Sequence, residues 1–170
     1  MTTKPDHYIA RAAVGTMIVA VAMVSSTVVG GWWKLRATPA PSYAVGDKID
    51  LPLETYSNAE RTLVLFVRES CAVCQAEAPR LAELVERARS SSTPVASLVV
   101  TGSTRVEADR EFAMVFKGST HRHVSFDSLG VKTVPTVVLV DRHGTVVFAH
   151  EGRFKTPETM EELIRRISSR

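Results

Sequence analysis

"RESCAVCQAEAPRL", residues 68–81, holds both cysteines of the chain, Cys71 and Cys74, three positions apart. The run before it, "TLVLFV" (62–67), is short, apolar and rich in β-formers, which predicts a buried strand. After it, Ala78, Leu81, Ala82, Val85 and Ala88 recur on one helical face, which predicts a helix over about 72–89. Pro79 falls inside that helix, where its missing N–H kinks the backbone. A cysteine pair at a strand-to-helix junction admits three chemistries: a metal clip, a structural disulfide, or a bond that is made and broken.

Working outward, "PVASLVVT" (94–101) reads as a second buried strand. Thr104 and Glu107 stand in capping-box spacing ahead of a second helix, with Phe112, Val115 and Phe116 as its apolar stripe. "TVVLV" (136–140) and "TVVFA" (145–149) flank "DRHG", where Gly144 supplies turn freedom, so the pair predicts an antiparallel hairpin. A last helix opens with Thr156 as N-cap and Pro157 at its first position, and buries Met160, Leu163, Ile164 and Ile167. The order is β-α-β-α-β-β-α, an α/β domain, preceded by an extended piece at 45–56.

The 170 residues carry a formal charge of +3. From position 44 onward, 17 Lys/Arg balance 17 Asp/Glu, so the surplus belongs to Lys4, Arg11, Lys34 and Arg36, less Asp6. These residues flank an apolar run, as membrane anchors require, and leave no support for a nucleic-acid partner. The run, "AAVGTMIVAVAMVSSTVVGGWW" (12–33), is 22 residues without a charge. About 20 residues span a bilayer core, and Trp32-Trp33 suits its interface, so a transmembrane anchor into the lipid bilayer is expected. A cleaved signal peptide ending near Val24-Ser25-Ser26 is the competing reading of the same run. The expected organisation is a cytoplasmic N-terminus at 1–11, the anchor at 12–33, a linker at 34–43 and a domain at 44–170.

The strand, the C-x-x-C at a helix start and "VPT" (134–136) before a hairpin and final helix together resemble the thioredoxin fold, a central mixed sheet flanked by helices. "GVKTVPTVVLVDRHGTVVFAHEG" (130–152) is similar to the second half of thioredoxins. "AVGDKIDLP" (44–52), the N-terminal anchor and "CAVCQAEAPRL" (71–81) resemble the membrane-anchored, extracytoplasmic TlpA/ResA-like branch of thiol-disulfide oxidoreductases. That resemblance implies a redox-active Cys71–Cys74 disulfide, a cis peptide bond before Pro135, and substrate binding at Val134, Pro135 and Thr136. It also implies a C-terminal domain on the periplasmic or extracellular side of the membrane. Its implied partners are an oxidised extracytoplasmic protein, such as apocytochrome c or a copper-site assembly protein, and a membrane electron donor. No cofactor is expected. Two positions depart from the pattern: Ser70 stands where a tryptophan usually precedes the first cysteine, and Leu65 where thioredoxin buries an aspartate.

The residues suit that chemistry. Dithiol exchange needs one exposed thiolate and a second thiol in reach to resolve the mixed disulfide. A cysteine at a helix N-terminus meets unpaired N–H groups that favour its ionised form, which makes Cys71 the nucleophile and Cys74 the resolving thiol. Ala72 and Val73 between them carry no charge, which favours a reductase over an oxidant. Glu77, three residues past Cys74 among apolar neighbours, is the candidate acceptor for the Cys74 proton.

Two rivals remain for the cysteine pair at this level, beside a docking module that keeps the fold without turnover, which the missing tryptophan before Cys71 leaves open. Cys71 and Cys74 with His121 and His123 could hold zinc or copper(I), as in a thioredoxin-fold copper chaperone, although zinc-site histidines usually lie three to five apart. A permanent disulfide closing a four-residue loop would gain little chain entropy. No metal site is expected, and His143 and His150 are assigned no role.

Overall fold

The structure, a computed structural model, describes residues 41–56, 59–93 and 95–168. The expected anchor at 12–33 and its flanks lie outside these residues. Among the described residues, no helix is long and apolar enough to cross a membrane.

Five strands form one mixed sheet: β1 (Arg61–Val67), β2 (Val95–Thr101), β3 (Thr120–His123), β4 (Thr136–Asp141) and β5 (Val146–Glu151), in the spatial order β3-β2-β1-β4-β5. β1, β2 and β3 run parallel, whereas β4 is antiparallel to both β1 and β5. The helices are α1 (Ala72–Arg89), α2 (Val106–Ala113) and α3 (Pro157–Ser168).

The three central strands are apolar on both sides because both faces of the sheet are covered. Leu63, Leu65 and Val67 of β1, Val99 of β2, and Val137 and Leu139 of β4 pack with residues of all three helices. The alternate residues Val64, Phe66, Leu98, Val100, Val138 and Val140 meet Tyr43, Ile49, Leu51 and Tyr56 from one segment and Phe126, Leu129 and Val131 from another. The second face is thus closed by irregular chain. Tyr43 stacks on Phe66 at 5.6 Å, and its hydroxyl donates to the Leu129 carbonyl at 2.6 Å.

Several expectations are corrected. Ser42 and Tyr43, read as linker, belong to the packed body: Tyr43 is buried, and Ser42 Oγ accepts from Lys132 N–H at 2.9 Å. The piece at 45–56 is no strand; it touches the sheet through a single bridge between Lys48 and Thr145, then forms a 3-10 turn at Leu53–Thr55. β3 was absent from the expected order because all four of its residues are exposed and polar, so no apolar pattern announced it.

The capping box of α2 does not form. Arg105 is its N-cap, without a side-chain cap bond, because Ser103 Oγ accepts the Arg105 N–H and the Ser103 N–H is taken by Asp109. Of the expected stripe, Phe112 and Phe116 meet edge to face at 5.8 Å, but Val115 lies past the helix end and is exposed.

Gly102 ends β2 where the chain bends under the loop at 124–126. A Cβ built there would fall 2.6 Å from the Val124 carbonyl oxygen and against the Phe126 ring. Gly102→Ala is therefore expected to cost about 1–3 kcal/mol by overpacking, read as a lower urea midpoint with unchanged m-value.

Candidate functional site

β1 ends at Val67, and four residues later Cys71 caps α1 with extended backbone angles, φ −90° and ψ 108°. The turn is closed by the Cys71 N–H donating to the Arg68 carbonyl at 3.2 Å. Cys71 Sγ occupies the place of a capping oxygen and accepts the Cys74 N–H at 3.1 Å. This is one of the first-turn donors that a helix leaves unpaired, and a sulfur anion is its natural partner.

The two sulfurs differ in setting. Cys71 is partly exposed and Cys74 is fully buried; both are free thiols. Burial, followed by the hydrogen bond with Cys71, pushes the Cys74 thiol up to about 12. At neutral pH Cys74 therefore holds its proton, and Cys71 is the accessible nucleophile.

β4 begins beside the end of β1, with Phe66 opposite Thr136, and this delivers the loop before β4 to the cysteines. The Val134–Pro135 peptide bond is cis. The Cys71 thiol donates to the Val134 carbonyl at 3.5 Å, joining residues 63 apart in sequence. Val134 is partly exposed and Pro135 is buried, its carbonyl accepting the Gly152 N–H at 2.7 Å. Thr136, expected to meet substrate, is fully buried, and its hydroxyl donates to the Thr133 carbonyl at 2.7 Å. It braces the loop, and Val134 is the member of the tripeptide left at the surface.

Glu77 lies one turn beyond Cys74 on the buried face of α1. Its surroundings are not purely apolar as expected: Arg153 Nε lies 3.1 Å from Oε1, and Arg80 reaches Oε2 at 3.6 Å. Arg153 follows Gly152, so the segment that receives the Pro135 carbonyl also supplies the cation for Glu77.

The histidines do not join the cysteines. His121 and His123 are exposed on the edge strand β3, and His123 Nδ1 is 3.2 Å from Thr101 Oγ1. Thr101 in turn pairs with Val67, so two strand spacings, about 9–10 Å, separate the His123 backbone from β1. Among the described residues, no three His, Cys, Asp or Glu side chains are grouped to hold a metal.

Three contributors escaped the sequence reading. Arg68 lays its guanidinium over Phe126 at 5.2 Å. Arg153 carried no signal, being one arginine among many. Asp109 did carry one: it stands on the inward stripe of α2 with Phe112 and Ala113, an acidic residue on an apolar face, and it is fully buried.

The thioredoxin-like domain family matches residues 54–168, and the chain belongs to it. No curated protein matches the chain. Among solved structures, the chain is similar to the DsbE-type thiol:disulfide interchange protein of Chlorobium tepidum, with 19% identity, TM-score 0.60 and coverage of 74% of this chain and 99% of that one. It is also similar to DsbF of Mycobacterium tuberculosis, with 23% identity, TM-score 0.53 and coverage of 75% and 96%. StoA of Bacillus subtilis follows at 18% identity, TM-score 0.51 and coverage of 76% and 97%. At these identities the likeness establishes a shared fold.

The contrast between the sulfurs has two measurable consequences. Iodoacetamide near pH 8 is expected to place a single adduct on the reduced chain, at Cys71, with Cys74 following only as denaturant opens the fold; peptide mass mapping reads the order. The Cys74 value also sets a pH dependence. Because it is raised above the ordinary 9.0, its stabilising contribution is whole below about pH 9 and is lost as pH rises towards about 12, where the unfolded chain ionises first. The reduced chain should lose more stability across that window than Cys74→Ala, a difference that cancels the tyrosines titrating in the same range.

Proposed function

We propose that the chain is a thiol-disulfide oxidoreductase that reduces protein disulfides through Cys71 and Cys74, held at the outer side of a membrane by its N-terminal apolar segment. The observation that carries the reading is the asymmetric dithiol: a partly exposed sulfur at a helix N-terminus beside a buried, protonated one, facing the Val134 carbonyl.

The reaction follows from that arrangement. The Cys71 thiolate attacks one sulfur of a substrate disulfide, forming a mixed disulfide and releasing the other substrate sulfur as a thiolate. Cys74 then gives up its proton and attacks Cys71 Sγ, which breaks the mixed disulfide and frees the second substrate thiolate. Substrate gains two electrons, and the Cys71–Cys74 pair loses them. Glu77, one turn along the same buried face, is the acceptor proposed for the Cys74 proton, with Arg153 and Arg80 holding its carboxylate in place. A substrate chain laid along Val134 would bring its disulfide to Cys71.

The uncharged Ala72-Val73 pair supports the reducing direction, since no cation lies between the cysteines in sequence to favour the open thiolate form. A dithiol carrier at the membrane would return the pair to its reduced state. The proposed substrates are oxidised extracytoplasmic proteins, with apocytochrome c or a copper-site assembly protein as instances.

Equilibration of the purified full chain with a thiol buffer, free of metal, tests the direction. A reversible two-electron couple near about −270 mV is expected, whereas a value near about −120 mV would mark an oxidant and no reversible couple would end the reading. Cys74→Ser should trap the mixed disulfide that Cys71→Ser cannot form. For the location, a membrane-impermeant maleimide is expected to label Cys71 in intact spheroplasts expressing the chain; labelling only after lysis would place the domain inside.

A further inference from the structure

We propose that Asp109 is a positioning residue for the dithiol, clamping the turn that carries Cys71 to the loop that opens α2. The proposal rests on the redox reading of the site. The Asp109 carboxylate is fully buried and receives two backbone donors, one at each oxygen: the Glu69 N–H at 2.8 Å on Oδ1 and the Ser103 N–H at 3.0 Å on Oδ2. Glu69 is two residues before Cys71, whereas Asp109 is 40 residues further on.

Glu69 is held at three points. Besides its N–H on Asp109, its carbonyl accepts from Gln75 Nε2 at 2.7 Å, and its carboxylate pairs with Arg105 at 2.9 Å. The Gln75 bond spans the cysteines, from the turn before Cys71 to the residue after Cys74. Arg105 is the N-cap of α2, so the ion pair duplicates the link that Asp109 makes inside the protein. Of these partners only Asp109 is shut off from water, where a hydrogen bond to a charged acceptor is strongest and its loss most felt.

The clamp has a reason in this sequence. Ser70, directly before Cys71, is exposed and small, so no large side chain packs the turn from that position. Polar bonds to Glu69 supply the rigidity, and rigidity matters because Cys71 Sγ must stay in line with the Cys74 N–H while remaining open to substrate. An aspartate suits the role better than an asparagine. Both donors are N–H groups, and an amide presents one acceptor oxygen and sets its own N–H against the second donor.

The test reads Cys71 directly, in the full reduced chain, as the pH–rate profile of iodoacetamide alkylation beside the unfolding midpoint. Asp109→Asn should slow alkylation near neutral pH by about tenfold and displace the profile to higher pH, with Asp109→Ala going further. Gln75→Met, an exposed change that will not threaten folding, should shift the profile in the same direction by a smaller step. A profile superimposable on the parent chain in Asp109→Asn, whatever the unfolding midpoint, would overturn the proposal, as would one in Gln75→Met should Asp109→Asn fail to fold. A shifted alkylation profile in a chain without a reversible redox couple would keep the clamp and remove the oxidoreductase reading, so the two fail separately.

Discussion

The pairing of β1 with β4 is the constraint on which the site depends. Phe66 lies opposite Thr136, so the C-terminal end of one strand and the N-terminal start of the other share one edge of the sheet. The chain leaves β1 toward Cys71 and arrives at β4 from Val134, which is why a thiol and a carbonyl 63 residues apart meet. A slip of one residue would move the Val134 loop along β1 by about 3.3 Å and turn every β4 side chain to the opposite face. The core forbids it, because Val137 and Leu139 must reach the helices while Val138 and Val140 reach the other layer. The distance at the reacting sulfur is thus held by apolar residues that never touch it.

Around this frame two carboxyl groups and a thiol are buried, and each is accommodated differently. Glu77 is neutralised by two arginines that keep their own side chains largely in water. Asp109 is satisfied by two backbone N–H groups, one on each oxygen. Cys74 stays uncharged, because burial, the largest influence on it, outweighs the opposing pull of Arg68 and holds its proton. Unpaired buried charge is costly, so these are the only inexpensive solutions open to each group. The two carboxylates are thereby tied to partners elsewhere in the fold, whereas the thiol is held chiefly by burial.

How far the sequence could be read follows from the same physics. Strands buried on both faces, such as Arg61–Val67 and Thr136–Asp141, announce themselves as continuous apolar runs, and α1 and α3 by their helical stripes. Cys71 and Cys74 were legible because a short fixed spacing keeps both on one helix. β3 was not, because an exposed edge strand needs no apolar residue and takes its position from β2 alone. The burial of Thr136 was not legible, because sequence cannot say which member of a tripeptide turns inward. Thr104 looked like a cap, but the helix starts one residue later, with Arg105 as an N-cap that makes no side-chain cap bond. Arg153 and Asp109 meet partners far away in sequence, Glu77 for one and the Glu69 N–H for the other, and no local pattern encodes such pairings.

The two departures from the family pattern, Leu65 and Ser70, then take on a common meaning. Leu65 is wholly buried in the helix-covered core that also contains Cys74, so the sheet offers that thiol an apolar wall and no proton acceptor. On the buried face of α1, Glu77 is the one carboxyl group. The buried carboxyl group therefore stands on the helix and not on the strand, and it brings the need for a cation, since a carboxylate at that depth requires Arg153 or Arg80 to be tolerated. Ser70 likewise shifts the task of holding the redox turn from a ring at the surface to polar bonds on Glu69 from beneath. In both cases a set of polar and charged partners stands where the family pattern has one residue. Such a partnership depends on α2 and on the loop after β5, which supply Asp109 and Arg153. The sheet sets where the cysteines stand, and those two segments supply the polar groups packed beneath them.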